Sequence, residues 1–211
     1  MKLRRSYQTE LMDDFAIQNG TLTVALKELL VINKYLGGDS SSRRALKNFP
    51  AGSSLLDIGA GAGNITGDNL SVDRNPAACR FSKMRSPGLH VICADALFLP
   101  FREKSVEIIH CSLFLHHFHE NSIAELLSNF KNVARTAIII NDLHRSRTAL
   151  AGIRILTALL SKSRMVKHDA PLSVLRGFTK RELILIIERA GIRNYDISHR
   201  WAFRWLVTIY L

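Results

Sequence analysis

"LLDIGAGAGNITGDNLSVD", residues 55–73, decides the fold. An apolar run from Leu55 to Ile58 meets glycines at 59, 61 and 63, and a second run from Leu70 to Val72 ends in Asp73. Residues 53–59 read as a short buried strand that turns sharply, and residues 70–73 as a second strand. Gly59 permits the tight turn, Gly61 leaves bare backbone for a ligand to approach, and Gly63 allows close packing where the next segment begins. The Lys-Ser/Thr pair of a phosphate-binding P-loop is missing. Between Gly63 and Leu70 only "NITGDN" remains, whereas a parallel crossover ordinarily needs about a dozen residues. Extended chain from Gly61 to Leu70 still reaches roughly 33 Å. The spacing therefore predicts a shortened first crossover, either with a one-turn helix at Asn64–Gly67 or with altered ligand affinity and a partner over the gap.

The rest of the chain continues a strand–helix rhythm. Residues 21–35 place Leu22, Leu26, Leu29, Leu30 and Val24 on overlapping helical faces, with Gly37-Gly38 as a stop. Residues 76–84 read as a helix with Pro76 in its first turn, and 90–95 and 106–112 as strands. A helix over 122–134 is predicted to start at a Ser122/Glu125 capping box, before a strand at 136–140. Residues 145–178 interrupt the rhythm with an apolar helix, the basic patch "SKSRMVKH" and a helix started by Pro171. Thr179 and Glu182 cap a helix at 180–190, which Gly191 stops. Strict alternation from Tyr195 to Leu211 fits either an antiparallel pair or one long bent strand, because no Gly or Asn-Gly marks a corner.

With 211 residues, the chain suits a single α/β domain. Its expected parts are an N-terminal helical segment (1–50), a ligand-binding core (51–143), a cap insertion (144–178) and a C-terminal helix with strands (179–211). A net charge of +11 admits an anionic partner such as nucleic acid or an acidic lipid surface. The excess is concentrated in residues 141–211, with 13 Lys and Arg against 5 Asp and Glu. Three cysteines at 79, 93 and 111 have neither pair nor ligand spacing, which argues against disulfides and a cysteine-based metal site. The start "MKLRRSYQTELMDD" lacks the apolar core of a signal peptide, and 148–160 is too short to span a bilayer. A cytoplasmic protein is expected.

Four predicted strands end at a polar residue, namely Asp57, Asp73, Asp95 or Ser112, and in a parallel sheet these ends share one ligand-binding edge. Asp57 can order the loop or meet an amino group, Asp73 can accept from two ribose hydroxyls, and Asp95 can accept from an adenine amino group. The trio points to a nucleoside ligand.

Taken with these residues, "LLDIGAGAG", "LSVDRN", "ICADALFLPF" and "VEIIHCSLFLHHF" resemble, in order and type, the motifs of class I S-adenosylmethionine-dependent methyltransferases. The resemblance covers roughly residues 53–140 and implies a Rossmann-like, seven-stranded, mostly parallel sheet closed by antiparallel C-terminal strands. It also implies S-adenosylmethionine as cofactor. Asp57, Gly59, Ala60, Gly61 and Asn64 would surround its methionyl part, Asp73 with Arg74 the ribose and adenine face, and Asp95 with Ala96 the adenine edge. Ser112 and Leu113 would floor the site. Within the class, the chain looks like type 11 methyltransferases of the UbiE-like and polyketide-associated kind, with an insertion after the fifth strand enclosing a small apolar acceptor.

Transfer from a sulfonium to a hydroxyl needs a held nucleophile, exclusion of water and removal of a proton. Candidate bases are His117, His116 and His144, His117 being preferred, although "LHHF" also suits a loop capped by aromatic packing. Asp142 either caps a helix or orients the acceptor. Arg145, Arg147, His168, Asp169 and Arg176 in the insertion are possible contacts for a phenolic, quinone-like or polyketide acceptor. No metal is expected, since the histidines lack His-Glu-x-x-His spacing. Two other classes compete. A nucleic-acid methyltransferase or binding protein is disfavoured by "CSLFLHH", which stands where a base-methylating Asn/Asp-Pro-Pro-aromatic motif would be, and weak association with a membrane surface is compatible with the charge. A non-catalytic protein with a degenerate cofactor site is suggested by the short crossover.

Overall fold

The computed structural model describes residues 3–14, 16–17, 20–61 and 70–211. Seven strands, β1 (Leu55–Ile58), β2 (Leu70–Asp73), β3 (His90–Cys93), β4 (Val106–Ser112), β5 (Ala134–Leu143), β6 (Tyr195–Arg200) and β7 (Arg204–Tyr210), form one sheet in the order β3-β2-β1-β4-β5-β7-β6. Strands β1 to β5 are mutually parallel, and β7 enters antiparallel between β5 and β6. The carboxyl ends of β1 to β5 therefore share one edge, and the order changes direction at β1, where such sheets bind ligands. Only residues 59–69 join β1 to β2, so the first crossover is short. Asn64–Gly67, where a one-turn helix is predicted, lies outside the described residues.

Both faces of the sheet are covered, which explains the unbroken apolar strands. Leu56, Ile58, Ile109, Ile138 and Ile140 pack on one face with Leu126 and Phe130 of α4 (Glu120–Val133) and Leu183 and Ile187 of α7 (Lys180–Arg189). Leu55, Ile108, Ile139 and Leu206 alternate to the other face against Ala45 of α2 (Gly38–Leu46). A third cluster joins Leu22, Ala25 and Leu26 of α1 (Gly20–Tyr35), Ala78 and Phe81 of α3 (Pro76–Arg85), and Met165 and Val166 of α6 (Arg164–Arg176). The insertion comprises α5 (Arg147–Leu160) and α6.

Several local expectations hold. Pro76 lies in the first turn of α3; the cap of that helix, which the sequence reading does not assign, is Asn75, accepting from the Ala77 and Ala78 amides. Thr179 and Glu182 form a reciprocal capping box on α7, and Gly191, at φ +72°, ends it.

Others need correction. Helix α4 starts at Glu120 with His119 as its uncapped N-terminal flank, so Ser122 lies within the helix and forms no box. Pro171 lies inside α6; Ser163 starts that helix by accepting from the Val166 amide at 3.3 Å. Gly37, in the left-handed region at φ +73°, does stop α1, but the chain turns directly into α2. The C-terminal alternation is a hairpin, turned without glycine by Ala202 at φ +58° and Phe203 at φ +57°.

Candidate active site at the carboxyl edge of the sheet

Buried β1 delivers the chain to the edge at Ile58, and β2 fixes the loop that follows. The Gly59 and Ala60 amides donate to Val72 O at 2.8 and 3.3 Å. The Gly61 amide donates to Asp73 Oδ2 at 2.8 Å, and Asp73 Oδ1 accepts from the Asn75 amide at 2.8 Å. Burial pushes the Asp73 carboxyl up while those two amides pull it down, with a net rise. Gly59 and Gly61 are both left-handed, at φ +65° and +51°. Glycine is required at 59 for a second reason: a Cβ there would lie 2.1 Å from Phe114 Cδ2. At Gly61, among the described residues, a Cβ would meet nothing nearer than Gly59 O at 4.0 Å.

Further along the edge, Asp95 Oδ1 caps a single turn at Ala96–Phe98 by accepting from the Leu97 amide at 3.0 Å, and Arg74 Nε stands 3.5 Å from Oδ2. Ala96 is buried beneath it. Ser112 lines a small polar pocket with Asp39, Asp57, Gly59 and Ala60. Leu113 follows in the left-handed region at φ +52°, its amide donating to Asn141 O at 2.9 Å.

Beneath that pocket runs a buried chain of hydrogen bonds. Asn141 Nδ2 donates to Ser42 Oγ at 2.9 Å, Ser42 lies 2.9 Å from His110 Nε2, and His110 Nδ1 lies 2.7 Å from Asp57 Oδ1. Asn141 donates to Ser42, which leaves the Ser42 hydroxyl free to donate to His110 Nε2 while Nδ1–H donates to Asp57. His110 is a site residue that its sequence setting concealed, because "VEIIHCS" reads as an apolar strand. Arg204 is another. It is buried, donates to Leu36 O and Asn33 Oδ1 at 2.9 Å each, and burial lowers its pKa to about 10.

The histidines after β4 meet acids from the N-terminal segment, at positions to which the sequence reading gives no role. Glu10 and Asp13, in "ELMDD", cross to the turn Leu115–His117. His116 Nδ1 donates to Asp142 Oδ1 at 2.7 Å, and Nε2 stands 3.6 Å from Glu10 Oε1. Burial opposes a charge on this ring, but Asp142 and then Glu10 overcome it and raise its pKa to about 9. With a proton on each nitrogen, the His116 imidazolium has no lone pair with which to take another. Half-buried His117 differs. Its Nδ1 donates to Asp13 Oδ1 at 2.7 Å, and Nε2 is 3.9 Å from the nearest carboxylate oxygen, that of Glu10. Burial would raise the Asp13 carboxyl, yet the hydrogen bonds from the His117 ring and the Glu10 amide, with the charge of Arg176, hold it far below the usual range. His144 sits at the end of β5, 3.2 Å from His199 and tilted on Trp205; burial, then the neighbouring charges, lower its pKa.

The expected acceptor contacts divide in the same way. Arg176 is buried, donating to His116 O, Gln8 O and Asp13 Oδ2 at 2.9–3.1 Å. Arg145 is also buried and clamps Leu3 O, Gly177 O and Glu182. Asp142 faces His116, and Asp169 accepts the Leu11 and Met12 amides at 2.9 and 3.0 Å. Arg147 and His168 are exposed, His168 bonding Asp169 at 2.7 Å. Among the described residues, Glu10, His116 and His117 offer three ligand atoms within 4.8 Å of one another. Positive charge is already present there, in the His116 imidazolium and in Arg176, whose Nε lies 3.9 Å from Glu10 Oε1.

The strand order and glycine loop define the class I methyltransferase fold. Residues 56–137 match the model of a methyltransferase domain family, Methyltransf_11. A SAM-dependent methyltransferase from Aquifex aeolicus is similar in structure at TM-score 0.57 and 18% identity, over 80% of this chain and 88% of that one. A TehB-like SAM-dependent methyltransferase from Corynebacterium glutamicum gives 0.61 and 15%, over 90% and 98%. Magnesium protoporphyrin IX methyltransferase from Synechocystis, with bound SAH, gives 0.53 and 12%, over 97% and 89%. No curated protein matches the sequence. Family match and fold together support S-adenosylmethionine as the cofactor and methyl transfer as the activity.

Proposed function

We propose that the chain, as one domain, transfers a methyl group from S-adenosylmethionine to a hydroxyl of a small apolar acceptor of phenolic, quinone-like or polyketide-like type. The observation that carries this reading is the His117–Asp13 pair at the sheet edge, one ring nitrogen bonded at 2.7 Å and the other, among the described residues, making no hydrogen bond and standing 3.9 Å from Glu10 Oε2. An acid fixes the tautomer, and the free nitrogen is suited to receive a hydroxyl proton. The edge also fits the cofactor chemically. The glycine at 61 presents no side chain to a ligand, Asp39 and Asp57 suit an ammonium group, and Asp73 with Asp95 suit the ribose and adenine. Bound there, the cofactor supplies an electrophilic methyl group. This chain's own residues orient the ligands, exclude water through the α5–α6 insertion, and accept the proton at His117 Nε2. Arg147 and His168, exposed on the insertion, are the expected polar contacts for an acceptor carboxylate.

Calorimetric titration with S-adenosylmethionine and S-adenosylhomocysteine tests the foundation, and absence of binding at millimolar ligand would overturn it. Mass spectrometry over phenol, quinone and polyketide acceptors then tests the acceptor class. Transfer to carbon or nitrogen alone would remove the proposed oxygen chemistry.

A further inference from the structure

The outward side of the molecule over α1 and α5 is unusually apolar. On α1, Val24, Val31 and Tyr35 share one face at helical spacing, and all are exposed. On α5 only Ala149 and Thr157 are buried, while Ile155, Leu159 and Leu160 point outward, the two leucines 77% and 73% exposed. These two stripes are neighbours. Glu28, between Val24 and Val31, accepts from the Lys162 and Ser163 amides at 2.9 and 3.1 Å, immediately after Leu160. Trp201, 76% exposed, extends the patch beyond Tyr35, because its Cδ1 and O lie 3.1 Å from where a Gly37 Cβ would be. Scattered exposed leucines are ordinary, but a joined patch of this kind marks an interaction surface.

Charge selects the occupant. From Leu143 to His168 the chain has no Asp or Glu, and Arg154, Lys162, Arg164 and Lys167, on and just after α5, are all exposed. Lys27 and Lys34 flank the α1 stripe. Leucines bordered by lysines and arginines, with Tyr and Trp at the margin, are the chemistry of an amphipathic helix lying in a membrane interface. Among the described residues no helix is long and apolar enough to cross a membrane. We infer that the α1–α5 face docks peripherally on an anionic lipid bilayer. The inference rests on this surface and stands apart from the acceptor proposed above.

The test is co-sedimentation of the full chain with vesicles of phosphatidylcholine alone or mixed with phosphatidylglycerol. Partitioning onto the mixed vesicles should exceed that onto neutral ones by roughly fivefold for each basic residue engaged, and should fall as salt rises. The double variant Leu159→Glu/Leu160→Glu should lose at least about tenfold in partitioning. Arg154→Glu/Lys162→Glu should lose binding to the anionic vesicles only, which keeps the test decisive if the leucine variant folds poorly. Tryptophan emission should shift to the blue on anionic vesicles, and not in Trp201→Phe. Three outcomes would overturn the inference: no partitioning, partitioning unchanged in both double variants, or a concentration-dependent dimer that Leu159→Glu/Leu160→Glu abolishes. Salt-sensitive RNA retention without vesicle binding would likewise do so. Cofactor titration on the same variants should be unchanged, so failure here is distinguishable from failure of the methyltransferase reading.

Discussion

Burial withdraws water from His116 and disfavours its charge, yet Asp142 and Glu10 raise its pKa from 6.5 to about 9. A raised cationic pKa stabilises the fold fully below about 6.5 and loses that stabilisation as pH climbs through 9. Burial also disfavours the charges of Glu10 and Asp142, but the adjacent histidines hold both below their ordinary values of 4.5 and 3.8. Their contribution is present above those values and is lost as pH falls through the lowered ones. Thermal stability should therefore be highest between about pH 5 and 6.5 and decline by on the order of 2–3 kcal/mol towards pH 10. His116→Gln should be less stable at pH 6, because Asp142 and Glu10 lose a buried cation, and the two melting profiles should converge above pH 9. Parallel profiles would deny His116 its charge. The next residue carries the kinetic prediction. His117→Gln should lower methyl transfer to a hydroxyl by ~10²-fold or more while leaving S-adenosylmethionine affinity within about twofold. Asp13→Asn should lower kcat with little change in cofactor affinity, and Asp13→Glu should recover part of it. Equal loss in the two Asp13 variants, with weakened cofactor binding, would mean that Asp13 acts through folding alone.

Among the elements, the hairpin shows where strain and pattern part company. Alternation from Tyr195 to Leu211 is a two-period signal that fixes which side chains share a face, but a corner needs residues that tolerate positive φ, and none of Trp201, Ala202 and Phe203 announces one. Packing supplies what propensity withholds. β7 is buried along six of its seven residues between β5 and β6, and that burial outweighs a cost of ~1–2 kcal/mol per left-handed residue. Ala202→Gly should accordingly stabilise the protein by about 0.5–1 kcal/mol, visible as a rise in Tm. A fall would place the strain elsewhere. The same contrast governs the rest of the fold. The strands β1 to β5, the Pro76 start of α3 and the cap at Thr179 were legible, since their signals are local: apolar runs, a proline in a first turn, a reciprocal Thr and Glu. The Ser122 box and the Pro171 start were not, because neighbouring turns of helix already satisfied the chain two to seven residues upstream, and a local motif competes with that only weakly.

At the scale of the whole molecule, the site is legible along the sheet edge and illegible across the chain. Asp57, Gly59, Asp73 and Ser112 are read from strand ends because parallel topology brings those ends together. Glu10 and Asp13 lie in a stretch without regular periodicity, and nothing local says that they return to His116 and His117 more than a hundred positions later. That return is fixed by side chains bonded to backbone groups. Asp169 accepts the Leu11 and Met12 amides, Arg176 donates to Gln8 O, and Arg5 donates to Arg176 O and Phe118 O at 2.8 and 2.9 Å. The N-terminal segment is thus a strap, held on one side by α6 and on the other by the turn after β4, and it carries the acid that orients His117. If the strap rather than the sheet sets that orientation, releasing it should impair catalysis while sparing the fold. Asp169→Ala leaves two amides without their acceptor, a local cost of about 1–3 kcal/mol each, and amide exchange at Leu11 and Met12 should accelerate. Exchange in β4 and β5 should stay slow, cofactor affinity should hold, and methyl transfer should drop by an order of magnitude or more. Unchanged turnover with a freely exchanging strap would show that His117 is oriented from within the sheet edge alone.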